Sequence, residues 1–252
     1  MKKIVFAFLA ASLLGLTVPV FFARAANVPN CVFDKQLAEL KATQTNSDLG
    51  YLEEIKAELK IRKNILSGII ACAEGNAEAT QANLNAISSN DSDINNLKGQ
   101  MNGKFEDAKN YYETQNGKIN DLGLKGSKDL ATSLREWILD NYHPLTDQVG
   151  NLTLWNTNQD LFRTASNRLS QITQTIKTLN LGDNEDIAAL YALSQKDLAN
   201  ATALNQTAKA DLLRFAPPTD TANDIKISLD ALSQTYKDFF DLSEAVKKLL
   251  PM

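Results

Sequence analysis

Residue types that most often carry catalysis or bind metals are scarce in this chain. Its 252 residues include one histidine, His143, and two cysteines, Cys31 and Cys72. A single histidine excludes zinc sites built on two or more histidines, and di-iron bundles that need a Glu-x-x-His pair on each of two helices. A catalytic triad would have to use His143, beside Pro144, and no local pattern pairs it with a nucleophile. The sequence therefore predicts a protein that is not an enzyme and that has no cofactor and no metal.

Two short motifs resemble ligand-binding loops but lack residues that the chemistry needs. In "SNDSDINN", Asp91, Asp93 and Asn95 have the spacing of the first three calcium ligands of an EF-hand. Asparagines stand where that loop requires a glycine and a bidentate glutamate, so we interpret the stretch as polar helix. "GQMNGK" has its glycines one residue too close for a P-loop, and phenylalanine follows where serine or threonine would bind magnesium. Gly99 and Gly103 are better explained by close helix approach or by a hinge.

The N-terminus has the pattern of an export signal. Lys2 and Lys3 precede an uncharged apolar run over residues 4–22, and Ala23-Arg24-Ala25 supplies small residues at the two positions that a signal peptidase reads. We expect cleavage after Ala25, which leaves residues 26–252 as a helical bundle domain with sub-boundaries near 123–127 and at 216–220. An uncleaved membrane anchor is the alternative, because the run is close to the ~20 residues that a span needs.

The net charge of the mature chain argues against two classes of partner. Loss of residues 1–25 removes three cations and no acid, and the formal net charge changes from −4 to −7. An acidic chain is a poor ligand for nucleic acid or for anionic lipid. No later stretch is apolar enough to span a bilayer, so we expect no membrane insertion after cleavage and a secreted, periplasmic or extracellular location.

Export makes a disulfide the first expectation for Cys31 and Cys72. One straight helix over residues 33–73 would separate its ends by about 60 Å, whereas a disulfide needs Cα atoms within about 7 Å. The bond therefore requires a turn, and "TNSDLG" (residues 45–50) has turn chemistry, with Asp48 a candidate cap for the next helix. Two free thiols, or a bond between chains, remain the alternatives.

Helical periodicity runs through the rest of the chain, and no strand pattern persists. The longest seven-residue repeat predicts one helix of about 40 residues, with Asp91, Lys98 and Gln115 as polar interruptions. There are two interpretations of these polar residues. Either the helix projects past its partners at these positions, or the polar residues fix the register of a coiled coil. The apolar members of the repeat and of its companion are Leu84, Ile87, Ile94, Met101, Phe105, Ala108, Tyr112, Ile119 and Leu122.

Few sequence stretches between the predicted helices have the residues of a turn or a helix end. Gly123 and Gly126 predict a turn with Ser127 as the next cap, and "NYHP" is expected to end or kink the helix that follows. "DNED" (residues 183–186) predicts a capped, acidic helix start, and "APPTDTAND" predicts a break before the last helix. The expected fold is all-α, an elongated antiparallel bundle with coiled-coil-like long helices. In architecture alone it is similar to exported helical proteins such as minor pilus subunits of type IV secretion systems or helical surface adhesins; no motif carries that likeness.

Aromatic residues are the remaining candidates for binding. Tyr111 and Tyr112 are adjacent and point to different helix faces, so with Trp137 and Trp155 they form a possible contact surface. The sequence predicts an exported, non-enzymatic structural or protein-interaction protein of the bacterial-type cell envelope or exterior, which binds a protein partner or self-associates. One alternative is a helical binding module that holds a small apolar ligand between helices, near Trp137, Trp155 and Phe162. A membrane-active helical protein is a further alternative, although the chain lacks a long uncharged hairpin.

Overall fold

The computed structural model describes residues 31–45 and 50–249, and within these ranges the chain is almost entirely helical, without a β-strand. The predicted all-α bundle is confirmed. The proposed signal peptide and the proposed Asp48 cap lie outside the described residues. The helices are α1 Asp34–Thr45, α2 Tyr51–Ala86, α3 Ser92–Lys118, α4 Leu124–Trp137, α5 His143–Thr178, α6 Glu185–Leu213 and α7 Pro218–Leu249, with a 3₁₀ turn at Ile119–Asp121 and a π-helical turn at Ile138–Tyr142.

α4, the π-helical turn and α5 form one continuous helix that extends through the bundle. It runs from Leu124 to Thr178, about 80 Å at about 1.5 Å per residue. "NYHP" was expected to end or kink the helix; it does not end it, but the α-helical hydrogen bonding changes to a π-helical turn there. Pro144 has no N–H, and in a regular α-helix its ring would clash with the carbonyl four residues earlier. In the π-helical turn the N–H of His143 instead bonds the carbonyl of Ile138, five residues back, and this wider turn accommodates the proline.

The predicted helix through Leu84 and Leu122 is wrong, because the chain breaks between α2 and α3. Asp91 is the N-cap of α3: its carboxylate accepts hydrogen bonds from the N–H groups of Asp93 at 3.0 Å and Ile94 at 3.4 Å. Lys98 reaches back to donate to the main-chain oxygen of Ile87 at the end of α2. These two polar positions therefore make the junction rather than interrupt a seam.

Other helix boundaries test the capping predictions. Ser127 is not a cap; it lies in the first turn of α4, where its hydroxyl donates to the carbonyl of Leu124. The cap of α6 is confirmed, since the Asn184 side chain accepts from the N–H of Ile187 at 3.1 Å. α3 passes through Gly99 and Gly103 unbroken, and a Cβ at either would meet nothing within 4 Å, so neither marks a close approach.

Two helices end on a residue with positive φ. Asn180 follows α5 with φ 51° and Phe215 follows α6 with φ 52°. In each case the next residue's N–H returns to a carbonyl five residues back, that of Ile176 or Asp211, which is the Schellman arrangement. Asparagine tolerates this conformation, whereas phenylalanine is rare in it.

Buried side chains form one large cluster and two smaller ones. The large cluster joins α2, α3, α4, the start of α5 and the end of α6. The smaller clusters continue along α5, α6 and α7, centred first on Phe162 and Phe239 and then on Ile176 and Leu242. The long helix thus contributes to the core at both of its ends.

Small residues let α6 and α7 pack along their whole length. The α6 face buries Ser194, Ala201 and Ala208, and the α7 face buries Thr221, Ser228 and Thr235, each set at seven-residue spacing. Small side chains at this repeat allow two antiparallel backbones to approach closely.

Candidate binding region at the disulfide and the π-helical turn

The predicted pairing of Cys31 with Cys72 is present, with Cα atoms 5.8 Å apart, within the range of a disulfide. The bond fixes α1 antiparallel against α2. Phe33 then lies on Gly68, where an added Cβ would come within 2.6 Å of the phenyl ring, and Gln44 donates to the carboxylate of Glu58 at 2.9 Å. Gly68 is therefore the residue that admits the phenyl ring at the start of α1.

The α1–α2 arm, defined here as residues 34–45 and 51–58, exposes apolar side chains. No residue of α1 is buried. The side chains of Leu37, Tyr51 and Leu52 are 51%, 76% and 68% exposed. α1 packs on α2 only through half-buried side chains, Leu40 among them, so the disulfide is an important tether of this helix.

Three of the four predicted contact residues come together beside the π-helical turn. Tyr111 stacks on Trp137 with ring centroids 4.1 Å apart, and Tyr112 meets the same indole edge-on at 5.3 Å. Tyr142, from the π-helical turn, extends this aromatic cluster at 6.3 Å from Tyr112. Tyr111 and Trp137 are half-buried, while Tyr112 is fully buried. Both tyrosines thus contact the same indole, and neither is exposed.

Trp155 and Phe162 do not belong to this surface. Trp155 is buried in the large cluster, and its indole N–H donates to the carbonyl of Asn205 at 3.2 Å. Phe162 is buried in the middle cluster. Both aromatics are core residues that join α5 to its neighbours, and neither lines the cavities beside the π-helical turn.

Two adjoining cavities flank the π-helical turn. The larger, of about 270 Å³, lies between α2 and α4 and has an almost wholly apolar wall that includes Leu66, Leu134 and Leu139. The smaller, of about 200 Å³, is bordered by the disulfide and by Tyr112 and Tyr142. Ile69, Ile138 and His143 line both cavities.

Burial shapes the electrostatics of this region. It raises the pKa of Tyr112 and that of Tyr142 above the ordinary tyrosine value, so both phenols stay protonated at neutral pH. Burial, with the nearby carboxylates of Glu113 and Glu78, also raises the pKa of Glu74. The Tyr142 hydroxyl lies 3.5 Å from that of Thr80, whereas the Tyr112 hydroxyl has no hydrogen-bond partner among the described residues.

Sequence reasoning placed His143 at a helix break and missed the π-helical turn and both cavities. The signal was present in Pro144, since a proline inside a strongly periodic helix requires a local change in hydrogen bonding. His143 is exposed at the rim of the cavities. Within residues 31–45 and 50–249, no group of three or more His, Cys, Asp or Glu side chains is placed to hold a metal ion.

Comparison of the chain with models of protein families, with curated proteins and with solved structures finds no match. In the part of the chain that the structure describes, every helix is too short or too polar to cross a membrane.

Proposed function

We propose that this chain is an exported, non-enzymatic helical protein that binds a protein partner through the α1–α2 arm. The observation that carries the proposal is the arm itself: a helix with no buried residue, tethered by a disulfide, that leaves Leu37, Tyr51 and Leu52 largely in water. Large apolar side chains left in water along one arm of the fold are the kind of surface that a protein partner covers.

The expected partner presents an apolar helix face. The arm carries charges of both signs, with Glu53 and Glu54 beside Lys56 at the start of α2, so apolar contact is expected to contribute more than charge to the choice of partner. A second copy of this chain is one outcome of the test, because its own arm has the same character.

The binding test compares two glutamate variants in the cells that export the protein. A photo-crosslinking residue at position 51 reports contact with the partner. Leu52→Glu, in the arm, is expected to abolish the crosslinked adduct, because burying a charge against an apolar face is unfavourable. The matched control is Leu193→Glu on α6, where the parent side chain is 42% exposed and outside the arm; it is expected to retain the adduct.

Sedimentation of the purified chain separates a foreign partner from self-association. An adduct that persists in Leu52→Glu, or that Leu193→Glu abolishes equally, contradicts a site on the arm. Circular dichroism melts of both variants ensure that each is folded.

The export part of the proposal has its own test, the intact mass of the protein recovered from outside the cytoplasm. A chain that begins at Ala26 and gains about 2 Da on reduction is expected, because the disulfide forms in an oxidising compartment. A mass that retains residues 1–25 contradicts cleavage, and a mass unchanged by reductant contradicts the oxidised pair.

A further inference from the structure

A groove between α5 and α7, called here the α5–α7 groove, consists of two adjoining cavities. The wide part, of about 410 Å³, begins at Arg168 on α5 and Tyr236 on α7. The narrow part, of about 160 Å³, continues between the same helices to Ile176 and Val246, and Ile172 lines both parts. The wide part alone lies within the roughly 300–1,000 Å³ that small-molecule sites occupy.

The wide part has one cationic group at its mouth. Among the described residues that line either part, only Arg168 is charged. Its guanidinium lies 5.7 Å from the centroid of the Tyr236 ring. That ring is held in place, because its hydroxyl donates to the carbonyl of Leu161 at 3.3 Å and Phe239 packs against it edge-on at 5.8 Å.

Arg168 is placed to bind an anion. Within the ranges that the structure describes it makes no ion pair with a carboxylate. A guanidinium that lies over an aromatic ring keeps its N–H donors available, and their fork matches the two oxygens of a carboxylate. Charge complementarity therefore points to a carboxylate at this end of the groove.

The rest of the groove favours an apolar chain. Phe240 forms its rim with 64% of the side chain exposed, and Ile172 is half-buried beside it. The narrow part ends against Leu242 and Val246. From Arg168 to Ile176 the groove follows α5 for about 12 Å at about 1.5 Å per residue. A linear chain of about eight to ten carbons has a similar length.

The helix directions fix which end of that ligand lies where. α5 and α7 run the same way, so that Phe162 packs near Phe239 and Ile176 packs near Leu242. The last turns of both helices, which end at Thr178 and Leu249, border the narrow part. The C-terminal end of a helix dipole is negative and disfavours an anion. A carboxylate is therefore favoured at the wide part and an uncharged tail at the narrow part.

We propose that the α5–α7 groove binds a linear alkyl carboxylate, with its carboxylate paired with the Arg168 guanidinium and its chain extended toward Ile176 and Val246. The chain lies against Phe240 and Ile172 on the way. The groove lies outside the α1–α2 arm, and this proposal does not rest on the function proposed for the arm.

The carboxylate end is tested with octanoate and 1-octanol, which share the alkyl chain and differ in charge. The parent is expected to bind octanoate about tenfold more tightly, as a charge-assisted pair at a partly exposed site provides. Arg168→Gln is expected to lose that preference. The matched control is Arg163→Gln, which removes the same charge from the same helix. Arg163 is exposed, pairs with Asp160 at 2.7 Å and does not line the groove, so the control is expected to keep the preference.

The apolar end is tested with hexanoate, octanoate and decanoate, each below the concentration at which it forms micelles. Affinity is expected to rise about two- to threefold for each added methylene, below the roughly fourfold of full burial, because the groove is open beside Phe240. Phe240→Ser is expected to weaken this dependence on chain length and keep the preference for a carboxylate. Ile227→Ser is its control, since Ile227 is 41% exposed on the same helix outside the groove.

Titrations followed by NMR give the dissociation constants and locate the probe. Resonances of Tyr236 and Phe240 are expected to shift with octanoate, while the indole of Trp137 stays unchanged. Leu52→Glu is expected to leave the octanoate affinity unaltered, so failure of the arm proposal and failure of this one are distinguishable. The proposal is overturned by the absence of saturable octanoate binding, by a preference that survives in Arg168→Gln or is lost equally in Arg163→Gln, or by an affinity independent of chain length.

Discussion

A buried carboxyl on α7 gives the sharpest test of the packing between α6 and α7. Asp238 is 2% exposed, and Gln234 donates to its Oδ1 at 3.0 Å. Its Oδ2 has no hydrogen-bond partner among the described residues, and the neighbouring polar group is the carboxyl of Asp197 on α6. Burial raises the pKa of Asp238, and Asp197 and Asp241 raise it further against the opposing bond from Gln234.

The sign of the pH effect follows from that raised pKa. Unfolded aspartate has a pKa of about 3.9, so the folded chain holds the proton of Asp238 more tightly than the unfolded chain does. The contribution of this group to stability is fully present below pH of about 3.9 and is lost as pH rises through the higher folded value. Asp238→Asn removes the charge and supplies an N–H to Asp197. It is expected to raise the free energy of unfolding at pH 7 by about 1.5–3 kcal/mol, the range of a hydrogen bond to a charged group.

Urea denaturation at pH 3, 5 and 7 measures the effect. The gain from Asp238→Asn is expected to shrink toward zero at pH 3, where the native carboxyl is already protonated. Asp230→Asn is the control on the same helix, because its side chain is 71% exposed and lies 4.0 Å from Lys226; it is expected to change stability by less than about 0.5 kcal/mol at any pH. A loss of stability in Asp238→Asn at pH 7, or an equal gain at pH 3 and pH 7, would refute the buried-pair reasoning.

Three further predictions concern the α3 start, the helix ends and the arm. Asp91→Ala is expected to lower the free energy of unfolding by about 1–2 kcal/mol, because it removes the helix cap and the bond to Lys209 that lowers the pKa of Asp91. Since that pKa is lowered, the loss of stability is present above a pH of about 3.9 and disappears as the pH falls through the lower folded value. Urea denaturation at pH 2 and pH 7 measures the difference. Asn180→Gly is expected to stabilise the fold by about 0.5–1 kcal/mol, because glycine adopts positive φ without strain. Phe215→Gly, at nearly the same φ, is expected to destabilise it, because the ring packed against the large cluster is lost. Thermal melts should therefore show melting temperatures that change in opposite directions, and changes in the same direction contradict the explanation. Reduction of the disulfide is expected to raise hydrogen exchange in α1 sharply and leave α6 and α7 protected; uniform exchange changes would contradict tethering by the bond.

Local patterns predicted the helices and several of their ends because the information was local. Asn184 caps α6 through a contact three residues along the chain. The antiparallel placement of α1 on α2 was predicted from a non-local constraint instead, the reach of a disulfide between cysteines 41 residues apart. The interruption at Asp91 was misassigned because a heptad count weighs apolar spacing alone. The same side chain satisfies helix-start N–H groups and meets Lys209 from α6, a partner more than a hundred residues away.

The candidate binding region was only partly predictable. Tyr111, Tyr112 and Trp137 lie together, but Tyr112 is fully buried and cannot be part of a contact surface. Trp155 is also buried, and its indole N–H donates to the carbonyl of Asn205. Neither cavity has a sequence motif, since each arises where α2 meets the widened turn of the long helix. The Tyr112 hydroxyl is unpaired because no neighbouring polar group among the described residues lies within hydrogen-bond distance. That depends on the packing of several helices, which sequence spacing does not predict.

The disulfide joins the arm to the wall of the smaller cavity. Cys31 ends the segment that leads into α1, and with Cys72 it borders the smaller cavity. Because α1 buries no residue, this bond and the Phe33 contact with Gly68 set where the arm lies, and the same two contacts form one wall of the cavity. The opposite wall comes from the π-helical turn. This turn accommodates Pro144 within a long helix that contributes buried side chains on both sides of the proline. The cavity therefore lies between a covalently fixed edge and a rigid helix, and its shape does not depend on the apolar side chains that the arm exposes to a partner.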